Sequence, residues 1–237
     1  RFPDYWEMIA KESQMTVSAF NVAPEHTKQI DTGLLFADEK RQWSASVFYN
    51  QIDDFILVDY RSMMKMQGFV RNIDASSYGA ELTYSQRLGD SFKVDSSLAY
   101  TRGTNETDNS ALPQLAPLEA RIGADYQQQD WSVGMLWRVV AAQDRYTLNT
   151  GNIVGKDLGP SSGFGILSAN AAWKILPSLQ LSLGIDNLFD RQYAEFVSRA
   201  GSNGMGGAIP GFEQTTRVNE PGRTAWLKLS WSFEDKF

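Results

Sequence analysis

Three thioethers stand close together at Met63, Met64 and Met66, in a stretch from Arg61 to Gly68 that carries no strand pattern. Thioether sulfur is a soft ligand and favours Cu(I). His26, the only histidine in the chain, could add an imidazole. The competing reading makes the methionines rim apolars without a metal and His26 an ordinary surface side chain. Other site chemistry is thin. The chain has no cysteine, so it offers no thiolate metal site, disulfide or Cys nucleophile. A Ser–His–Asp arrangement would have to use His26, and no nucleophile motif accompanies it. No His/carboxylate spacing suggests zinc. Gly204-x-Gly206-Gly207 lacks a strand–helix context and reads as a loop. The expectation is that the chain is not an enzyme.

The elements that would position these residues are strands with a period of two. From Arg223 to Phe233, Ala225, Leu227, Leu229, Trp231 and Phe233 share one face. Thr224, Lys228, Ser230 and Ser232 share the other, with Trp226 as the exception. About nine such segments recur, each long enough to cross a bilayer. A ribbon with one oily and one wet face lies between two media, and here one of them is expected to be lipid. The segments run Thr27–Phe36; Trp43 onward through Phe55–Val58, with a bulge near Asp53–Asp54; Phe69–Leu88; and Phe92–Thr101. They continue through Leu118–Tyr126, Trp131–Val139, Leu167–Trp173 and Leu179–Asp186 to the last strand.

Composition agrees with this reading. Mean hydropathy is -0.35, which by itself suggests a soluble protein, but the inward positions of a barrel are polar and lower the mean. No run approaches ~20 apolar residues, so a transmembrane helix is excluded. A net charge of -6 argues against nucleic acid as a partner. Aromatics make up 12% and cluster near segment ends, as in interfacial girdles; the alternative is a soluble β core.

Connections alternate short and long. Short turns fall near Asp38, Gly89, Gln128 and Pro177, and long loops near Met64, Thr107, Gly155 and Gly204. In an up-and-down meander this sorts all short turns to one side and all long loops to the other. A Greek-key sandwich has no reason to sort them so. The chain begins Arg1-Phe2-Pro3 without an initiator Met or signal-peptide core, and about nine strands is an odd number where single-chain barrels have even counts. It is therefore expected to be a processed or cut piece, with residues 1–237 forming part of one transmembrane barrel domain and the earlier strands lying upstream.

Four stretches carry a family resemblance. They are Ala23-Pro24-Glu25 leading into Leu34, Tyr78-Gly79-Ala80-Glu81-Leu82, Asp186-Asn187-Leu188-Phe189-Asp190-Arg191-Gln192-Tyr193, and Pro221-Gly222-Arg223-Thr224 before the final strand. In this order and spacing the chain resembles the C-terminal barrel portion of TonB-dependent outer-membrane receptors, closest to copper receptors of the OprC and NosA type. Each motif also has a physical reading. Glu81 should face the lumen, Asn187 should cap a short helical turn, and Gly222 should free the chain to turn into the last strand. Glu234-Asp235-Lys236-Phe237 follows Phe233, so either Phe233 or Phe237 could be the terminal aromatic that signals assembly.

The resemblance implies an all-β, antiparallel transmembrane barrel of about 22 strands, of which this chain supplies the last nine or so. An N-terminal plug would carry the TonB box and most substrate contacts, and neither is in this sequence. The implied function is TonB-energised uptake of a scarce nutrient across the bacterial outer membrane, with copper as a possible cargo and no resident cofactor. Implied partners are outer-membrane lipid and lipopolysaccharide, TonB through the plug, and the remaining N-terminal strands. The rival is a ferric-siderophore receptor, where Arg61, Arg71, Arg145, Tyr146, Arg199 and Arg217 could hold an anionic chelate. A passive porin or barrel anchor is the further alternative, distinguished by whether a plug exists.

Overall fold

A computed structural model describes residues 1–8, 21–60, 69–152, 154–201 and 215–233. Among these residues, nine long strands form one antiparallel meander: β1 (His26–Ala37), β2 (Arg41–Asp59), β3 (Phe69–Leu88), β4 (Phe92–Asn105), β6 (Glu119–Gln127), β7 (Trp131–Val140), β9 (Phe164–Leu176), β10 (Leu179–Asp186) and β11 (Thr224–Trp231). Each pairs with its neighbours in chain order. Two-residue strands β5 (Ser110–Ala111) and β8 (Thr150–Gly151) lie in long loops that the sequence pattern leaves blank. One helical turn, α1 (Tyr5–Met8), precedes the sheet.

The registers place the predicted stripes in continuous rows. Phe92, Tyr126, Val133, Ala171, Leu183 and Leu227 form one cross-strand row. On the opposite phase, Lys93, Asp125, Gly134, Asn170, Gly184 and Trp226 form another. The apolar face is open: Ile30, Leu34, Leu82, Leu98, Ile122, Val133 and Leu229 are all exposed. An uncovered face of this extent is not a folded interior, and it demands an apolar medium or partner. The polar face forms a concavity of about 640 Å³ walled by six strands, with Thr83, Ser85, Asp95, Arg121, Asp125 and Asn170 among its lining.

Rings gather at the short-turn end of the apolar stripe. Phe36 stacks on Trp43 at 6.0 Å, Tyr126 meets Trp131 at 5.4 Å, and Trp231 stacks on Phe233 at 5.0 Å. This is the amphipathic belt expected where hydrocarbon gives way to headgroups. Short turns include Gly89, whose φ of 68° is a left-handed conformation that glycine adopts without steric cost.

The exception at Trp226 has a steric reason. Its indole lies on the polar phase against its cross-strand partner Gly184, where a Cβ would stand 2.3 Å from the ring. Phe48 covers Gly79 in the same way, with a Cβ–ring distance of 2.5 Å. Glycine in these strands makes room for an aromatic on the inner wall.

The bulge stands where the sequence places it. The β2–β3 register shifts between Ile52 and Phe55, and Asp54 has φ 60°. Beyond it, the ribbon is covered on both faces. Leu57, Ile73 and Ala75 pack under Leu112 on the inner phase, while Ile56, Val58 and Val70 pack with Val22 and Tyr60 on the other. Neighbouring chain groups satisfy the bulged backbone. Glu25 Oε1 accepts the Ile56 N–H at 2.9 Å, and Asn72 Nδ2 donates to the Asp54 carbonyl at 2.7 Å.

Candidate functional site: the inner wall and the loop canopy

The inner wall carries a charge network built from adjacent strands. Arg121 and Arg138 are direct cross-strand partners, an arrangement of like charges that needs compensation. Glu119 supplies it by binding both, with Arg138 Nη2 at 2.6 Å. Glu195, from the last long loop, binds Arg138 from above. Tyr193 of the same loop packs on Phe164 at 4.5 Å, closing the inward cluster of Val140, Phe164 and Ile166. The aromatic at the end of the Asn187–Tyr193 motif therefore seals the top of the β7–β9 wall.

The described parts of the loops after β4, β7 and β10 are knitted together. The segment 141–163 leaves β7 and reaches β2, where β8 adds to its edge through Val58↔Gly151 and Asp59↔Thr150. On the way it passes the tops of β3, β4 and β6. Asp157, fully buried, is the hub. Its carboxylate accepts the Gln114 N–H at 2.9 Å, Gln114 Nε2 at 3.0 Å and the Thr147 N–H at 2.9 Å. Several directed donors of this kind are what a buried carboxylate requires.

Sequence-predicted site residues fall in different places. Met63, Met64 and Met66 lie outside the described residues, as do Arg61, Gly204–Gly207 and Phe237. His26 is exposed at the start of β1 and shares the phase of Ile30 and Leu34, opposite Asp53. Arg71 is paired with Asp59 and Asp108. Arg145 donates to the Gly103 carbonyl and to Thr104 Oγ1, and Tyr146 beside it is exposed. Arg199 is exposed on the strand-like segment that bridges Ala200 to Arg217. Arg217 is buried and committed to the carbonyls of Phe196, Pro160 and Gly159, at 3.0, 2.9 and 2.6 Å. Burial pushes its guanidinium below the usual arginine range, with Asp157 opposing that shift. Its geometry is that of a clamp between two loops.

Two motif expectations change in detail. Asn187 is a turn residue with φ 51° rather than a helix cap; its Oδ1 accepts the Arg191 N–H and its Nδ2 donates to the Arg191 carbonyl. Gly222 is required by close approach, because a Cβ there would stand 2.8 Å from Asp190 Oδ1, which accepts the Arg223 N–H at 2.7 Å. Sequence reasoning missed Asp157 and Glu195, which themselves lie in loops without periodicity.

Comparison with known proteins agrees with this geometry. A copper transporter, OprC, superposes with a TM-score of 0.88 at 45% identity, over 98% of this chain and 35% of its own. The FrpB iron transporter from Neisseria meningitidis superposes with a TM-score of 0.66 at 18% identity, over 91% of this chain and 32% of its own. That second likeness shows the fold alone. The ferric enterobactin receptor of Pseudomonas aeruginosa is 24% identical over 161 residues, which is 65% of this chain and 21% of that receptor. The chain thus spans about a third or less of the length of these relatives. The family model for the TonB dependent receptor-like β-barrel matches residues 1–188, and the chain belongs to that family.

Proposed function

We propose that this chain forms the C-terminal wall and canopy of an outer-membrane receptor that imports copper with energy relayed by TonB. The observation that carries the cargo is the 45% identity, across 98% of the chain, to a transporter described as carrying copper. The siderophore reading draws on more distant relatives, and one of its candidate groups, Arg217, is occupied by backbone carbonyls. Met63, Met64 and Met66, which follow β2 in sequence, form a soft relay that passes Cu(I) inward to a site completed by the plug. His26 lies on the apolar phase of β1 and contributes little to that relay.

The test uses the full-length receptor. Changing Met63, Met64 and Met66 together to leucine keeps the apolar volume and removes sulfur. Copper uptake into cells should fall at least several-fold, while His26→Ala should leave it close to wild type. Copper uptake unaltered in the triple variant would remove the loop from the pathway. Uptake of a ferric chelate in preference to copper by the wild type would overturn the cargo assignment.

A further inference from the structure

A cleft opens in the wall where β4 loses its neighbour. The last β4–β6 rung is Ala99↔Glu119, and the next pairing on that edge is Thr104↔Ala111. Between these rungs lies a cavity of about 200 Å³ whose lining includes Tyr100, Arg102, Leu118, Gln143 and Arg145. Arg102 continues the alternation of Leu98 and Tyr100, so it stands at the top of the apolar stripe, on the side of the long loops.

The two arginines share this cleft without an acidic partner among the described residues. Arg145 is held by the Gly103 carbonyl and Thr104 Oγ1, which leaves further guanidinium N–H groups for another acceptor. Arg102 is exposed and makes no ion pair with a described residue. Below them, Leu82, Leu98 and Ile122 continue the exposed apolar face, and Tyr78 and Tyr100 flank the junction. Burial, and then repulsion from Arg102, lower the Arg145 pKa, against smaller opposing effects of Tyr78 and Tyr100.

We propose that Arg102 and Arg145 bind a phosphate group of an outer-leaflet glycolipid whose acyl chains lie along the stripe below. A lipid supplies both halves of the match: an anion that takes charge-assisted hydrogen bonds from two guanidinium groups, and hydrocarbon in register beneath it. The site rests on the outer-membrane reading of the chain and adds to it a named headgroup contact.

The experiment uses purified full-length receptor in detergent, with binding measured for diphosphoryl lipid A, its dephosphorylated form and inorganic phosphate. Wild type should bind diphosphoryl lipid A at least about tenfold more tightly than the Arg102→Gln variant. Arg102→Lys should recover part of the loss. Equal binding by wild type and Arg102→Gln, or equal binding of dephosphorylated lipid A, would overturn the proposal. Displacement by inorganic phosphate at the same concentration as the lipid would identify a free-anion site and also overturn it. Cell fractionation of the same strains reads the underlying assignment separately. Wild type outside the outer membrane refutes that assignment, whereas correct localisation with unaltered lipid A binding in Arg102→Gln refutes the site alone.

Discussion

Glu25 shows how much one side chain of a short motif does. Burial raises its pKa, but the hydrogen bonds from Arg1 and from the Ile56 N–H more than offset this, leaving it below its usual value. A lowered carboxylate pKa means that the stabilisation is present above the ordinary value of 4.5 and is lost as pH falls through the lowered one. Amide hydrogen exchange of Ile56 should therefore lose protection as the pH falls below the ordinary carboxylate value and through the lowered one. Glu25→Ala should show the same loss at neutral pH and no further change on acidification. Protection at Ile56 unaffected by the substitution would assign the bulge's stability to Asn72 alone. The sequence suggests that Pro24-Glu25 enters a strand, but not that the carboxylate serves a bulge thirty-one positions away. A partner at that separation leaves no mark on local periodicity.

At the scale of the strand, alternation makes the fold readable. The third strand spans Phe69–Leu88, as the stripe predicts, and the bulge falls at Asp53–Asp54. Both follow from local patterns: period-two apolar residues, and two adjacent carboxylates that break the phase. β5 and β8 are illegible because two residues carry no period, and their pairing is decided by the loop above them. The phase makes a sharp contrast at neighbouring positions of β10. Leu181 shares the row of Trp173 and Leu229, while Ser182 shares that of Ala172 and Lys228. Leu181→Arg puts a guanidinium on the lipid side at a cost of roughly 2–4 kcal/mol near mid-membrane. It should reduce heat-modifiable, folded receptor in the outer membrane. Ser182→Arg should assemble close to wild type, because that side is hydrated. Equal assembly of the two variants would contradict the assigned phase.

The whole molecule joins a wall with two unlike faces to a canopy that behaves as one body. Asp157 ties the 106–118 and 141–163 loops, and Arg217 ties the latter to the last loop. Asp157→Ala leaves three donors unpaired, at about 1–3 kcal/mol each if they stay dry. Faster hydrogen exchange should then appear at both Gln114 and Thr147 while the strands below stay protected. Loosening confined to one loop would show that the canopy is two independent pieces. The account as a whole depends on hydrocarbon covering the stripe that contains Leu179, Leu181, Leu183 and Ile185, with water or plug against Gln180, Ser182 and Asp186. The chain has no cysteine, so a spin label can be placed at each position of β10 in turn, except at Gly184 under the Trp226 indole, once any upstream cysteine is replaced. Collision rates measured in outer-membrane vesicles should alternate: molecular oxygen favoured at 179, 181, 183 and 185, and a water-soluble nickel chelate at 180, 182 and 186. A flat profile, or nickel access at both phases, would contradict the account.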